Sequence, residues 1–123
     1  MSFFKRRSKY GAKRTNGFPS KLENAVHEML LMRQLAGEIK DIKQQQTVVL
    51  QPGGKDVRIA WKVDFSFTKV ATGETVFAEA KGFPTNDYLL KLKLWRAKPQ
   101  FDLEIWTGDY RRPTLKEIIK KWD

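Results

Sequence analysis

The sequence predicts one α+β domain in which a helix, three strands, a second helix, a fourth strand and a last short helix follow one another. Three observations predict it. Apolar residues recur at helical spacing after Ser20; β-branched and aromatic stretches are parted by turn residues between Thr47 and Gly82; and a second helical stripe after Thr85 runs into an alternating segment. At 123 residues the chain fits a single domain, and a hydrophobic content of 41% is enough to offset the entropy of ordering it. Residues 1–18 read as a flexible basic arm and residues 19–123 as the domain.

Pro19 and Ser20 open KLENAVHEMLLMRQLAG, where Leu22, Val26, Met29, Leu30 and Leu35 keep helical spacing and Gly37 suits a left-handed stop, so a helix is expected from Lys21 to Ala36. A polar connection follows. TVVLQ and DVRIAWKVDFSF then flank PGGK as the two arms of a hairpin, the second ending near Lys69. ATGE leads into TVFAEAKG, with Thr72 and Gly73 as the residues of a tight turn. Thr85 is placed to cap a helix whose Tyr88, Leu92 and Trp95 form one stripe, and Pro99 stands beyond its end. FDLEIW alternates as a half-exposed strand does, which assigns Asp102 and Glu104 to a wet face. Thr114 and Glu117 have capping-box spacing and predict the final helix, carrying Leu115, Ile118, Ile119 and Trp122. No internal repeat or low-complexity tract is present.

Charge points to the partner. Lys and Arg number 24 against 14 Asp and Glu, a net charge of +10 that attracts polyanions, DNA or RNA foremost, although an ordinary basic surface has the same balance. The arm carries Lys5, Arg6, Arg7, Lys9, Lys13 and Arg14 with no acid among them. Lys91 and Lys93 on the second helix are candidates to grip phosphates, or to form a solvated helix face. Trp61, Trp95, Trp106 and Trp122 lie in apolar patterns and are expected in the core rather than stacked on bases. His27, the sole histidine, receives no role. The absence of cysteine excludes disulfides, thiolate metal sites and thiol nucleophiles. The apolar runs are too short to span a membrane, and MSFFKRRSKY lacks the apolar stretch of a secretory signal, so a cytoplasmic protein is expected. No Walker-type loop suggests a nucleotide cofactor.

The strands around Thr72 and Gly73 carry the chemistry. With those two as the turn, Ala71 faces Glu74, Asp64 falls opposite Lys81 and Ser66 opposite Glu79; period-two alternation then projects Asp64, Glu79 and Lys81 from one face. Two carboxylates and a lysine suit phosphodiester hydrolysis. A hard cation such as Mg²⁺, or Mn²⁺, takes oxygen ligands, polarises a phosphate and lowers the pKa of bound water. Lys81 would either orient that water or help deprotonate it. The same spacing also fits an ordinary cross-strand ion pair between Asp64 and Lys81. Glu23 has two readings of its own: partner of Ser20 in an S-x-x-E capping box, or a further carboxylate brought in from the first helix.

KYGAKR at 9–14, SKLE at 20–23, VDF at 63–65, EAKG at 79–82 and KLKLW at 91–95 occur in the order found in a small phage-encoded family of the PD-(D/E)XK nuclease superfamily, which the chain resembles. The superfamily's αβββαβ order matches residues 20–106, and the S-x-L-E helix, D-F strand and E-x-K-G strand are also similar to those of phage junction-resolving endonucleases. The resemblance implies a restriction-endonuclease-like core and a divalent-metal endodeoxyribonuclease. In such a site Asp64, Glu79, Glu23 and the Ala80 carbonyl hold metal and Lys81 serves catalysis. Val63 stands where many members have proline, a departure that weakens the motif without emptying the site. Preference for branched DNA such as four-way junctions is one version, and because two symmetric cuts need two sites it predicts a twofold homodimer. The competing reading is a non-catalytic basic module for DNA or RNA, with the acids serving only to pair with the basic residues.

Overall fold

The structure, a computed structural model, describes residues 20–54 and 57–122; the arm expected at 1–18, with Lys5, Arg6, Arg7, Lys9, Lys13 and Arg14, lies outside them. Ser20 starts helix α1 (Lys21–Leu35) by accepting the Glu23 N–H on its hydroxyl at 3.0 Å. At the other end Gly37 sits at φ +81°, and the N–H groups of Gly37 and Glu38 return to the carbonyls of Gln34 and Arg33, closing a Schellman motif. Thr85 caps α2 (Asn86–Ala97) in the same manner, its hydroxyl accepting the Tyr88 N–H at 3.2 Å.

Five strands make one mixed sheet in sequence order: β1 (Ile39–Gln51), β2 (Ile59–Lys69), β3 (Thr75–Ala80), β4 (Asp102–Asp109) and β5 (Arg112–Ile119). All neighbours are antiparallel except β3 and β4, the parallel pair that α2 connects. The α+β class and the αβββαβ order through β4 are those expected, and the arrangement is consistent with a restriction-endonuclease-like core. Leu22, Val26 and Leu30 of α1 pack with Phe65, Phe67, Val76 and Ala78 on one face. Tyr88 and Trp95 of α2 pack with Trp61, Val63, Phe77, Leu103 and Ile105 on the other. No helix among the described residues is long and apolar enough to cross a membrane.

Four expectations are corrected. The final helix is strand β5: Leu103 pairs with Ile119 and Trp106 with Leu115, while Glu117 forms a bidentate pair with Arg96 of α2, one arm at 2.7 Å, instead of capping anything. Two isoleucines and a threonine in PTLKEII suit an edge strand, and Leu115, Ile118 and Trp122 are exposed. Trp122 is therefore outside the core, unlike Trp61, Trp95 and Trp106. The polar connection is the first half of β1, whose lysines and glutamines belong to a sheet edge. Lastly, Asp102 and Glu104 are buried, at 4% and 5% exposure, and their partners come from the segment just after β5, from α1 and from β4 itself. Asp102 accepts from Lys120 Nζ and the Lys121 N–H, each at 2.8 Å. Glu104 accepts from Arg33 Nη1 at 3.1 and 3.2 Å and from Trp106 Nε1 at 3.1 Å.

Candidate active site

Strands β2 and β3 pair Thr68 with Thr75 and Phe65 with Ala78, and the Lys69 N–H reaches the Glu74 carbonyl, so the turn spans residues 70–73 with Gly73 at φ +76°. The expected two-residue turn is thus corrected by two positions. Asp64 comes beside Glu79 rather than Lys81, and Ser66 beside Phe77 rather than Glu79. Because the slip is an even number of residues, Asp64 and Glu79 stay on one side of the sheet.

The strands leave off their backbone ladder here and use carboxylates. The Asp64 N–H donates to Glu79 Oε1 at 3.1 Å, and the Ala80 N–H donates to Asp64 Oδ2 at 2.9 Å. Val63 packs in the α2-side core and Phe65 in the α1-side core, although residues two apart on a regular strand share a face; β2 turns over at Asp64. Glu23, in the first turn of α1, joins the group. It is 4% exposed, as is Glu79, and its Oε2 accepts from Gln45 Nε2 at 3.2 Å. The Ser20 hydroxyl caps the helix as expected, and the Glu23 carboxylate, bonded to Gln45, lies near Glu79.

Burial dominates the electrostatics. It pushes the Glu79 carboxyl up to about 8, the charges of Asp64 and Glu23 add to the push, and the Asp64 N–H and Lys81 offset it only in part. Asp64 is also held above the usual carboxylate range, by burial first, against the Ala80 N–H, the Lys81 charge and hydrogen bonds from Gln45 and Glu79. Two adjacent buried carboxyl groups, one of which retains its proton near neutrality, are a pair that a cation would discharge. Lys81 follows β3, its N–H on the Trp106 carbonyl at 2.9 Å and its Nζ 5.5 Å from the centre of the Tyr88 ring. Burial, then the Glu79 charge, raises the Tyr88 phenol to about 12.

Two carboxylates, those of Asp64 and Glu79, could hold a hard cation, with the Ala80 carbonyl adjacent in sequence and Glu23 near Glu79. Among the described residues no three acids, histidines or cysteines form a ready metal cage, and Mg²⁺ needs only one or two carboxylates with waters. Of the expected DNA contacts on α2, Lys93 is exposed, whereas Lys91 pairs with Asp87 at 3.2 Å.

Three features were missed from the sequence. Gln45 reads there as one of three consecutive glutamines, Tyr88 as core, and the β4–β5 tip as the approach to a helix. That tip reaches the site, since a Cβ on Gly82 would stand 3.6 Å from Leu22 Cδ2 and 3.9 Å from the Gly108 carbonyl. It presents Tyr110 with Lys21 Nζ at 4.8 Å and Arg111 at 5.6 Å from its ring centre. An aromatic followed by two arginines, Tyr110-Arg111-Arg112, is the one pattern that could have signalled it. His27 stacks on Phe65 at 5.6 Å, and burial, against the charge of Glu28, lowers its pKa.

No curated protein and no solved structure matches the chain at a significant level. Residues 7–121 match the family described as protein of unknown function (DUF1064), and the chain belongs to that family.

Proposed function

We propose that this protein is a divalent-metal-dependent endodeoxyribonuclease of the PD-(D/E)XK superfamily, working in the cytoplasm on DNA. The observation that carries the reading is the burial of Asp64 and Glu79 side by side, at the middle of β2 and near the end of β3, with buried Glu23 near Glu79 and Lys81 close by. A fold gains nothing from burying like charges together. It gains a site where a cation and a phosphodiester can replace the retained proton.

In this reading Asp64 and Glu79 are the principal ligands, with Glu23 and the Ala80 carbonyl as further donors. Mg²⁺ or Mn²⁺, when bound, supplies electrophilic polarisation of the phosphate and acidification of water. The chain does the rest. The Ala80 and Asp64 N–H groups fix the two carboxylates so that little reorganisation is needed on loading. Lys81, kept near Tyr88 by a cation–π contact, offers its ammonium to the phosphate or the attacking water. Lys21 and Lys93, both exposed, provide positive charge along the DNA, whereas Arg111 is already paired with Asp109. Selectivity for branched DNA goes with a twofold homodimer, since a junction needs two cuts.

The test is incubation of the full chain with linear duplex, single-stranded and four-way-junction DNA, with and without Mg²⁺ or Mn²⁺. Cleavage is expected only with metal, and Asp64→Ala, Glu79→Ala and Lys81→Ala are each expected to abolish it while DNA binding persists. Cutting at the wild-type rate by Glu79→Ala would overturn the reading, leaving a basic binding module in its place.

A further inference from the structure

Strand β1 is an edge strand, yet in its middle Gln45 adopts φ +54°, a left-handed conformation that few non-glycine residues take and that glutamine does not favour. Its neighbours are regular: Gln44 pairs with Phe65 and Gln46 with Val63, so the irregular residue lies across from Asp64. The side chain that results is exposed at the surface and reaches inward. Its Nε2 donates to Glu23 Oε2 at 3.2 Å, and from its place across from Asp64 it acts on that carboxylate, lowering its pKa against the effect of burial. Glu23 and Asp64 come from different elements, α1 and β2, and this one amide from a third element is bonded to the first and stands across from the second.

A primary amide has a donor end and an acceptor end on the same carbon, and a half-turn of the last side-chain bond exchanges them. The donor end suits two carboxylates in the absence of a cation. An arriving cation repels that N–H₂ group and attracts the oxygen. We infer that Gln45 is a further residue of the acidic site, a positioning residue whose amide holds Glu23 and Asp64 together before loading and turns its oxygen to the cation, or to water on it, afterwards. The strained backbone is consistent with this, since a left-handed glutamine is retained where its surroundings require that side-chain direction.

The inference rests on the divalent-metal reading of the site, and its test separates the two. Mn²⁺ binding to the full chain is measured by titration calorimetry for wild type, Asp64→Asn, Gln45→Ala and Gln45→Glu, and the side-chain amide signal of Gln45, assigned by its loss in Gln45→Ala, is followed by NMR as Mg²⁺ is added. Gln45→Ala is expected to weaken Mn²⁺ binding about tenfold, as loss of a supporting group around a metal does. Gln45→Glu, which replaces the amide by a charged oxygen donor, is expected to tighten it. The amide signal is expected to move with Mg²⁺ in the wild type and to stay in place in Asp64→Asn. Wild-type Mn²⁺ affinity in Gln45→Ala, or an amide signal indifferent to Mg²⁺ in a chain that binds Mn²⁺ through Asp64, overturns the role of Gln45 alone. A wild-type chain that binds no Mn²⁺ overturns both.

Discussion

The sheet buries two groups of acids, and they are held in opposite ways. Asp102 and Glu104 on β4 are each met by a cation and a second donor: Lys120 and the Lys121 N–H for one, Arg33 and the Trp106 indole for the other. For Asp102 these outweigh burial, which pushes upward, and its pKa falls below the ordinary value. Asp64 and Glu79, on β2 and β3 of the same sheet, are answered mainly by each other and by backbone N–H groups, and both are held above the ordinary value. Burial is alike and outcome is reversed. Whether a nearby cation compensates a buried acid therefore separates a carboxylate that fastens the fold from one held ready for something that enters later.

Neutral substitutions should break that contrast most strongly. Asp64→Asn and Glu79→Gln keep the shape and the acceptor oxygens, and they are expected to lower cleavage roughly 100-fold to 1,000-fold, the rate equivalent of the several kcal/mol a bound metal supplies. Above about pH 8, where both carboxyls of the wild-type pair are ionised, the metal-free variants should melt at a higher temperature than wild type. A lower melting temperature with full cleavage would assign these acids to the fold and refute the comparison.

Arg33→Ala sits on the other side of it. Removing the guanidinium leaves Glu104 buried with only the Trp106 N–H, and breaking such a pair costs about 3 kcal/mol. Urea unfolding should show that loss, whereas cleavage per folded molecule should not change. Reduced cleavage at unaltered stability would move Glu104 into the site.

The pH dependence of stability is expected to be smaller and opposite in sign to the common carboxylate case. The folded value of Glu79, about 8, lies above the ordinary 4.5, so the folded state binds the proton more tightly than the unfolded one. Its stabilising effect is complete below about pH 4.5 and is lost as pH rises through about 8. The melting temperature of the metal-free chain should fall across that window, and Glu79→Gln should flatten the fall. An identical slope in the two proteins would show that the carboxyl ionises normally.

Much of this was legible, and the failures share a cause. The helices were readable because Ser20, Gly37 and Thr85 act locally on backbone groups a few residues away, and Asp64 and Glu79 because parity survives an even slip of register. The turn itself was misread by two residues, since Thr72 and Gly73 suit a two-residue and a four-residue turn alike. Thr114 and Glu117 have a cap's spacing, but Arg96, 21 residues from Glu117, decides what the glutamate does. Asp102 and Glu104 looked solvated for the same reason: alternation reports faces, and only tertiary contact with α1 and the segment just after β5 reports whether a face is covered. Gln45 left no trace, because a left-handed residue in a run of glutamines has no compositional mark.

The smallest predicted effect applies the contrast to basic residues. Lys91 and Lys93 lie two apart on α2 and carry equal charge, but Lys91 is half-buried and bridged to Asp87 while Lys93 is exposed. A lysine on a phosphate releases counterions and steepens the salt dependence of DNA binding by about 0.9 in the logarithmic slope; one already engaged with a carboxylate releases few. Lys93→Ala should therefore flatten the slope by nearly that amount and weaken binding slightly at low salt, and Lys91→Ala should do less than half as much. Equal effects would mean that Asp87 yields its partner to DNA, and that at this helix the ion pair competes with binding instead of standing apart from it.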